Sequence, residues 1–175
     1  MKKTIWHCHI AMSLDGKIAR PDGAFDWLEG HPAEEFGLEA FLAGVDAILM
    51  GRDTYEVIRG LGDWPYGDKV TIVMTNRPLV DPPQGVEVRS GDLGLVAAEL
   101  EERDYGRVWV EGGANVIRGM IAVDKLDVLE MAIVPIVLGD GIPLIASGTP
   151  ELKLRLKSCD PRSGGALHVI YEAVR

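Results

Sequence analysis

Paired glycines at the end of an apolar run, in Trp109-Val110-Glu111-Gly112-Gly113-Ala114-Asn115-Val116, are the residues of this chain best placed to do chemistry. A strand running through them into a helix lets a ligand reach bare backbone N–H groups, which is how proteins hold nucleotide phosphates. Taken alone, the pair is equally well explained by a tight turn that needs a left-handed glycine. A second strand end, Gly51-Arg52-Asp53-Thr54, repeats the theme. Its guanidinium offers two parallel N–H donors to a phosphate and Thr54 adds a hydroxyl, although a surface salt bridge with a helix cap is the plainer reading. Thr75-Asn76-Arg77 closes another apolar run. Two arginines near an additional phosphate are what would favour NADP over NAD. In an open α/β sheet, ligands collect at the carboxyl ends of parallel strands. Here those ends are Met12-Ser13, Met50-Gly51-Arg52, Thr75-Asn76-Arg77 and Glu111-Gly112-Gly113.

Residues for a second ligand are more thinly marked. Asp15, beside Gly16 and Lys17, could meet the polar part of a substrate or simply shape a turn. Trp27, Trp64 and Tyr66 could stack on a flat heterocycle, and core packing or a subunit contact would explain them equally well. Glu34 and Glu35 suit the first turn of a helix, where solvent-facing carboxylates are the commoner case. His7 and His9 share one strand face, but His31 and His168 show no spacing that completes a ligand set, so no metal is expected. The dinucleotide fingerprint GxGxxG is absent, and Gly139-Asp140-Gly141 reads as a turn. There is no zinc-deaminase signature, GxSxG elbow or Walker loop either.

These groups need elements to hold them. Residues 4–12 alternate as a strand, with Trp6, Cys8, Ile10 and Met12 on one face. A polar segment follows to about Gly30, with its turn at Pro21-Asp22-Gly23. Pro32–Leu42 has helical spacing; Val45–Met50 reads as a strand, Asp53–Ile58 as a short helix and Leu61–Asp68 as a loop. Further strands are expected at Val70–Thr75, Val86–Arg89, Arg107–Glu111, Leu126–Val137, Leu152–Lys157 and Leu167–Ala173. A helix capped by Asp92 buries Leu93, Val96, Ala97 and Leu100, and another spans Asn115–Ile121. Alternating strands and helices followed by strands alone predict an α/β fold, a mostly parallel mixed sheet flanked by helices with an antiparallel C-terminal edge.

The 175 residues suit one domain, 1–175, with 47% apolar and 26% charged residues. No run approaches a membrane span and the N-terminus has no leader pattern, so a cytoplasmic protein is expected. A net charge of -9, with no basic-aromatic interleaving, argues against nucleic acid. Cys8 and Cys159 are too few for a disulfide scaffold; Cys8 reads as a small buried hydrophobe.

Three segments together, Ala11-Met12-Ser13-Leu14-Asp15-Gly16-Lys17-Ile18-Ala19, Met50-Gly51-Arg52-Asp53-Thr54-Tyr55-Glu56 and Val110-Glu111-Gly112-Gly113-Ala114, resemble the dihydrofolate reductase-like superfamily. The chain is most similar to the C-terminal reductase domain of bacterial bifunctional riboflavin-biosynthesis deaminase-reductases and its free-standing relatives. The resemblance covers nearly the whole chain. It implies NADPH bound across the strand ends, with Gly51, Arg52 and Thr54 near the adenosine phosphate and Thr75, Asn76 and Arg77 along the same half. Glu111, Gly112, Gly113, Asn115 and Val116 would surround the pyrophosphate, and Ala11 and Ser13 would border the nicotinamide. Asp15 and Lys17 match positions near the second substrate. The implied reaction is reduction of a small heterocyclic or phosphoribosylamino-pyrimidine substrate, or of dihydrofolate in the more distant branch. The implied assembly is a homodimer, and Met131–Val137 could pack in the core or between subunits. No carboxylate matches a proton-relay acid, so no proton donor is assigned. A non-catalytic nucleotide-binding protein on the same fold and a flavin-dependent enzyme are the alternatives.

Overall fold

Alternation along the first strand decides how the chain is layered. In β1 (Ile5–Ser13), Trp6 and Cys8 are buried on one face while His7 and His9 are buried on the other. A strand covered on both sides belongs in the middle of a sheet, and the computed structural model, which describes residues 3–175, places it there. The other strands are β2 (Lys17–Ala19), β3 (Ala47–Gly51), β4 (Val70–Met74), β5 (Val86–Arg89), β6 (Arg107–Gly112), β7 (Val128–Val134), β8 (Ile142–Pro143), β9 (Leu154–Pro161) and β10 (Leu167–Ala173). Eight of them form one sheet in the order β5-β4-β3-β6-β1-β7-β10-β9. The pairs from β5 through β7 are parallel, and β10 and β9 add the antiparallel edge. This is the dihydrofolate reductase-like architecture that the motifs implied.

Four α-helices cover the sheet: α1 (Leu38–Ala43), α2 (Arg52–Gly60), α3 (Leu93–Glu102) and α4 (Ala114–Ala122). On one face Val96, Ala97 and Leu100 of α3 and Ile117 and Met120 of α4 pack with Trp6, Cys8, Leu49 and Val110. On the other, Phe41 of α1 and Tyr55 and Ile58 of α2 pack with Ile48, Met50 and Trp109. Cys8 is fully buried and burial pushes its thiol up to about 12, so it packs as a hydrophobe. Met131, Ala132 and Val134 are buried within the chain, whereas Val137 is exposed beyond the strand.

Two expectations need correction. The helix anticipated over Pro32–Leu42 is two pieces, a 3-10 turn at Ala33–Phe36 and α1, joined at Gly37 with φ 72°. Only a residue without Cβ adopts that conformation cheaply, and it turns the chain between the two. The Lys17–Ala19 segment, expected as part of a loop, pairs with Ile142–Pro143 in a separate two-stranded sheet. Strands of three and two residues are too short for a period to register. Among the described residues, no helix is long and apolar enough to cross a membrane.

The Asp92 carboxylate accepts the Leu95 N–H at 3.0 Å, capping α3 as expected. Asp92→Ala should lower stability by about 1 kcal/mol in urea denaturation, the usual worth of such a cap. An unchanged midpoint would show that water satisfies the helix end as well as the carboxylate does.

Candidate active site

β3 and β6 lie side by side, and each ends in a glycine where a helix begins. A Cβ on Gly51 would sit tightly against Val116 Cγ2 at 3.3 Å and in ordinary contact with Gly113 N at 3.8 Å, so the two strand tips lie close together. Gly51 is the N-cap of α2 and Gly113 that of α4, and no side chain caps either helix. Their first N–H groups therefore lack the side-chain partner that Asp92 gives α3. Both helix starts open on one cavity of about 960 Å³, near the upper end of the size of ligand pockets.

One end of this cavity is lined by Gly51, Arg52, Asp53, Thr54, Thr75 and Asn76. Arg52 Nη1 donates to the carbonyls of Arg77 and Pro78 at 3.2 Å each, and Nη2 pairs with Glu56 at 3.0 Å. The guanidinium thus fixes the segment after β4 while remaining on the cavity wall. Ser90 and Gly91, just beyond β5, also line this end. The sequence reading missed them, although extending the strand-end rule to one more strand would have found them. Gly113, Asn115 and Val116 form the adjoining wall, with Gly113 open toward Thr54 Oγ1. The Gly112–Gly113 peptide is cis.

At the other end the floor is the second face of β6, β1 and β7. Glu111, His9, Ala11, Ala132 and Val134 line it, with Phe36, Leu28 and Phe25 above and Ile18, Ala19 and Ile142 at the side. Glu111 Oε1 accepts the Tyr66 hydroxyl, and Oε2 is buried with no hydrogen-bond partner. Burial pushes the Glu111 carboxyl up to about 8, against the Tyr66 hydrogen bond that pulls it down. At neutral pH it is an acid on a cavity wall.

Beside it, His7, His9 and His168 surround Glu130. His7 Nε2 and His168 Nε2 each lie 2.7 Å from a Glu130 oxygen. Because Arg162 donates to His168 Nδ1 at 3.0 Å, that ring carries its proton on Nε2. His9 Nε2 donates to the Phe36 carbonyl at 3.0 Å. Burial works against ionising Glu130, but the His7 hydrogen bond, the nearby His9 and the His168 hydrogen bond outweigh it and hold the carboxyl at about 2. Desolvation lowers His9, with the Phe36 carbonyl opposing. Ligating atoms of His9, Glu130 and His168 lie within 4.8 Å of one another. Yet both Nε2 atoms are donors already in use, so the arrangement is a hydrogen-bonded carboxylate balanced through His168 by Arg162. Sequence spacing left His168 unplaced because only the β7–β10 pairing brings it beside Glu130.

Of the residues expected to hold the cofactor or the substrate, Ala11, Gly51, Arg52, Thr54, Thr75, Asn76, Glu111, Gly113, Asn115 and Val116 meet at this cavity. The others do not line it. Ser13 is fully buried, donating to Asp15 at 2.7 Å and accepting the Lys17 N–H at 2.8 Å. Asp15 also accepts the N–H groups of Leu138 and Gly139, which with Ser13 hold its carboxyl at about 2, so it organises the turn and is spent there. Lys17 pairs in β2. Trp27 is buried, and Trp64 packs against Tyr55 and Tyr66. Arg77 is exposed and Gly112 buried behind the wall.

Residues 6–167 match the RibD C-terminal domain, and the chain belongs to that family within the dihydrofolate reductase-like superfamily. Among relatives, uncharacterized protein YwjB of Bacillus subtilis (strain 168) is 36% identical over 158 residues, covering 89% of this chain and 90% of that protein. A solved Shewanella sp. PV-4 protein named for riboflavin biosynthesis superposes with a TM-score of 0.87 at 28% identity, covering 98% of this chain and 99% of its own. Dihydrofolate reductase from Enterococcus faecalis, solved with NADP(H), shares the fold with a TM-score of 0.68 at 19% identity, covering 98% and 97%.

The two buried acids make opposite contributions to stability against pH. Glu111, raised from 4.5 to about 8, keeps a proton in the folded chain that the unfolded chain has released. Its contribution is full below about pH 4.5 and drains away as pH rises to about 8. Glu130, lowered to about 2, contributes above about 4.5 and loses that contribution as pH falls toward 2. Glu111→Gln should therefore flatten the loss of stability between roughly pH 5 and 8, by on the order of a few kcal/mol. Parallel urea midpoints for the two proteins across that range would remove the buried-acid assignment.

Proposed function

We propose that this protein is an NADPH-dependent reductase of a small, flat heterocyclic substrate. The observation that carries the reading is the convergence of two helix N-termini without side-chain caps on a cavity whose far end holds a buried acid. Gly113, Ala114 and Asn115 at the start of α4 would hold the pyrophosphate, with Thr54 across from Gly113. Arg52, Thr75, Asn76 and Ser90 would hold the adenosine end and its additional phosphate. Ala11, small and on the floor strand, leaves room for the nicotinamide ring. When bound, NADPH supplies the hydride.

The chain's own part is to place the electrophilic carbon, keep water out and deliver a proton. Phe25, Leu28 and Phe36 supply the dry roof. Glu111, protonated at neutral pH and with Oε2 unengaged, is the donor we assign to the reduced product. Tyr66 shares the opposite oxygen and fixes the carboxyl in place.

Glu111→Gln should lower kcat about 100-fold or more while NADPH affinity changes little, as loss of a positioned acid requires. Equal kcat values would reassign the proton to solvent. Arg52→Ala should weaken NADPH about 10- to 100-fold and NADH much less, because only NADPH loses a charge-assisted phosphate contact. Since Arg52 also braces the Arg77–Pro78 backbone, the difference between cofactors is the readout; equal losses contradict a phosphate role. Gly113→Val places a side chain toward Thr54 at a backbone conformation valine tolerates, so it should abolish NADPH binding in a folded protein. NADPH bound as before would overturn the pyrophosphate assignment, and NADPH binding without turnover of any heterocycle would favour a non-catalytic binder.

A further inference from the structure

Resting on that reading, we infer that the substrate carries no phosphate: the end of the cavity over β1 and β7 takes a neutral, flat, largely apolar molecule whose polar edge meets His9 and Glu111. A phosphate dianion needs cationic side chains or clustered N–H donors to replace its water. Among the described residues lining the cavity, Arg52 is the sole arginine or lysine, and it stands at the opposite end beside Thr75, engaged with Glu56 and two carbonyls.

The cations carried by the elements around the substrate end are off the cavity wall or already engaged. Lys17 does not line the cavity. Arg20 forms a fork on Asp26, with contacts of 2.6 and 3.0 Å. Arg162 gives Nε to the Glu35 carbonyl and Nη2 to His168. Among the described residues, no guanidinium or ammonium lines this end.

Several carboxylates lie on its wall or just behind it. Asp22 lines the wall, Glu130 is ionised beneath the floor, and Glu34 and Glu35 occupy the first turn of the Ala33–Phe36 helix. Those two carboxylates cancel any attraction that short helix start would have for an anion. His9 is desolvated, has its Nε2 on the Phe36 carbonyl and stacks on Phe41 with centroids 4.8 Å apart, so it presents an uncharged ring. His31, the other imidazole on the wall, packs beside Gly164, where a Cβ would come within 2.9 Å of its Cε1. Around them Ile18, Phe25, Leu28, Phe36, Ala132 and Val134 leave an apolar slot. Such a slot rewards a planar ring and penalises a dianion twice, by desolvation and by repulsion from Asp22 and Glu130.

Matched ligands on the NADP⁺-loaded protein test this by calorimetry: 5-amino-6-ribitylaminouracil against its 5′-phosphate, with 7,8-dihydropterin as a phosphate-free ring. The phosphate should confer no gain in affinity and is expected to cost about tenfold or more. Phe25→Arg, which puts a guanidinium on the exposed rim, should shift the ratio of the two affinities about tenfold toward the phosphate ester, whatever the lost ring contact costs both ligands. If neither pyrimidine binds measurably, inorganic phosphate titrated against the imidazole proton resonances of His9 and His31 gives the answer: no saturable shift supports the inference, a saturable one overturns it. A phosphate ester that binds the wild-type protein about tenfold more tightly than its partner also overturns it. Failure of NADP⁺ itself to bind would instead sink the reductase reading, so the two failures are distinguishable.

Discussion

The contact between the tips of β3 and β6 is what the rest of the site depends on. Gly51 and Gly113 lie within van der Waals reach of each other at the ends of two neighbouring parallel strands. Two helices then start there, and their N-terminal fields add over the same cavity. A side chain at position 51 would press on the Val116 methyl, which must give by a few tenths of an ångström. The site is therefore a property of sheet packing as much as of the residues that face a ligand.

The second organising element is the polar face of the central strands. Parallel neighbours β1 and β7 set His9 opposite Glu130, and antiparallel β10 sets His168 opposite Ala132, one step along. A carboxylate with two imidazole donors and an arginine behind one of them is fully paired without a metal or water. Glu111, a strand away, has one partner and one open oxygen. Two carboxyl groups on the same sheet face thus end in opposite protonation states, Glu111 because its desolvation outweighs the Tyr66 hydrogen bond and Glu130 because its histidine partners outweigh its desolvation.

Much of this was legible in the residue pattern. Alternation in Ile5–Ser13, the Gly-Gly after Trp109-Val110-Glu111 and the Asp92 cap each depend on local rules, and each matches the fold. The strand-end rule found Gly51, Arg52, Thr75, Asn76, Glu111 and Gly113 of the cavity wall for the same reason, and the motifs around them and the family resemblance added Ala11, Thr54, Asn115 and Val116. What it missed depends on distance in sequence. Tyr66 comes from a loop with no period and reaches Glu111 only after folding, so the acid looked like part of a phosphate motif. Glu130 and His168 acquire meaning through a strand pairing that no spacing reveals. Asp15 sat in the right motif but is engaged in the turn it builds, because the Ser13 hydroxyl and the Leu138 and Gly139 N–H groups bond both of its carboxylate oxygens, while Lys17 is held there through its backbone.

Arg162 ties the roof to the sheet's antiparallel margin. Its guanidinium holds the Glu35 carbonyl above the cavity and the His168 ring below, while contributing nothing to the wall itself. The β9–β10 hairpin therefore acts as a buttress that sets the ceiling height. Homologues that differ only along this hairpin would differ in which ring thickness they admit, and selectivity could drift there while every wall residue stays the same.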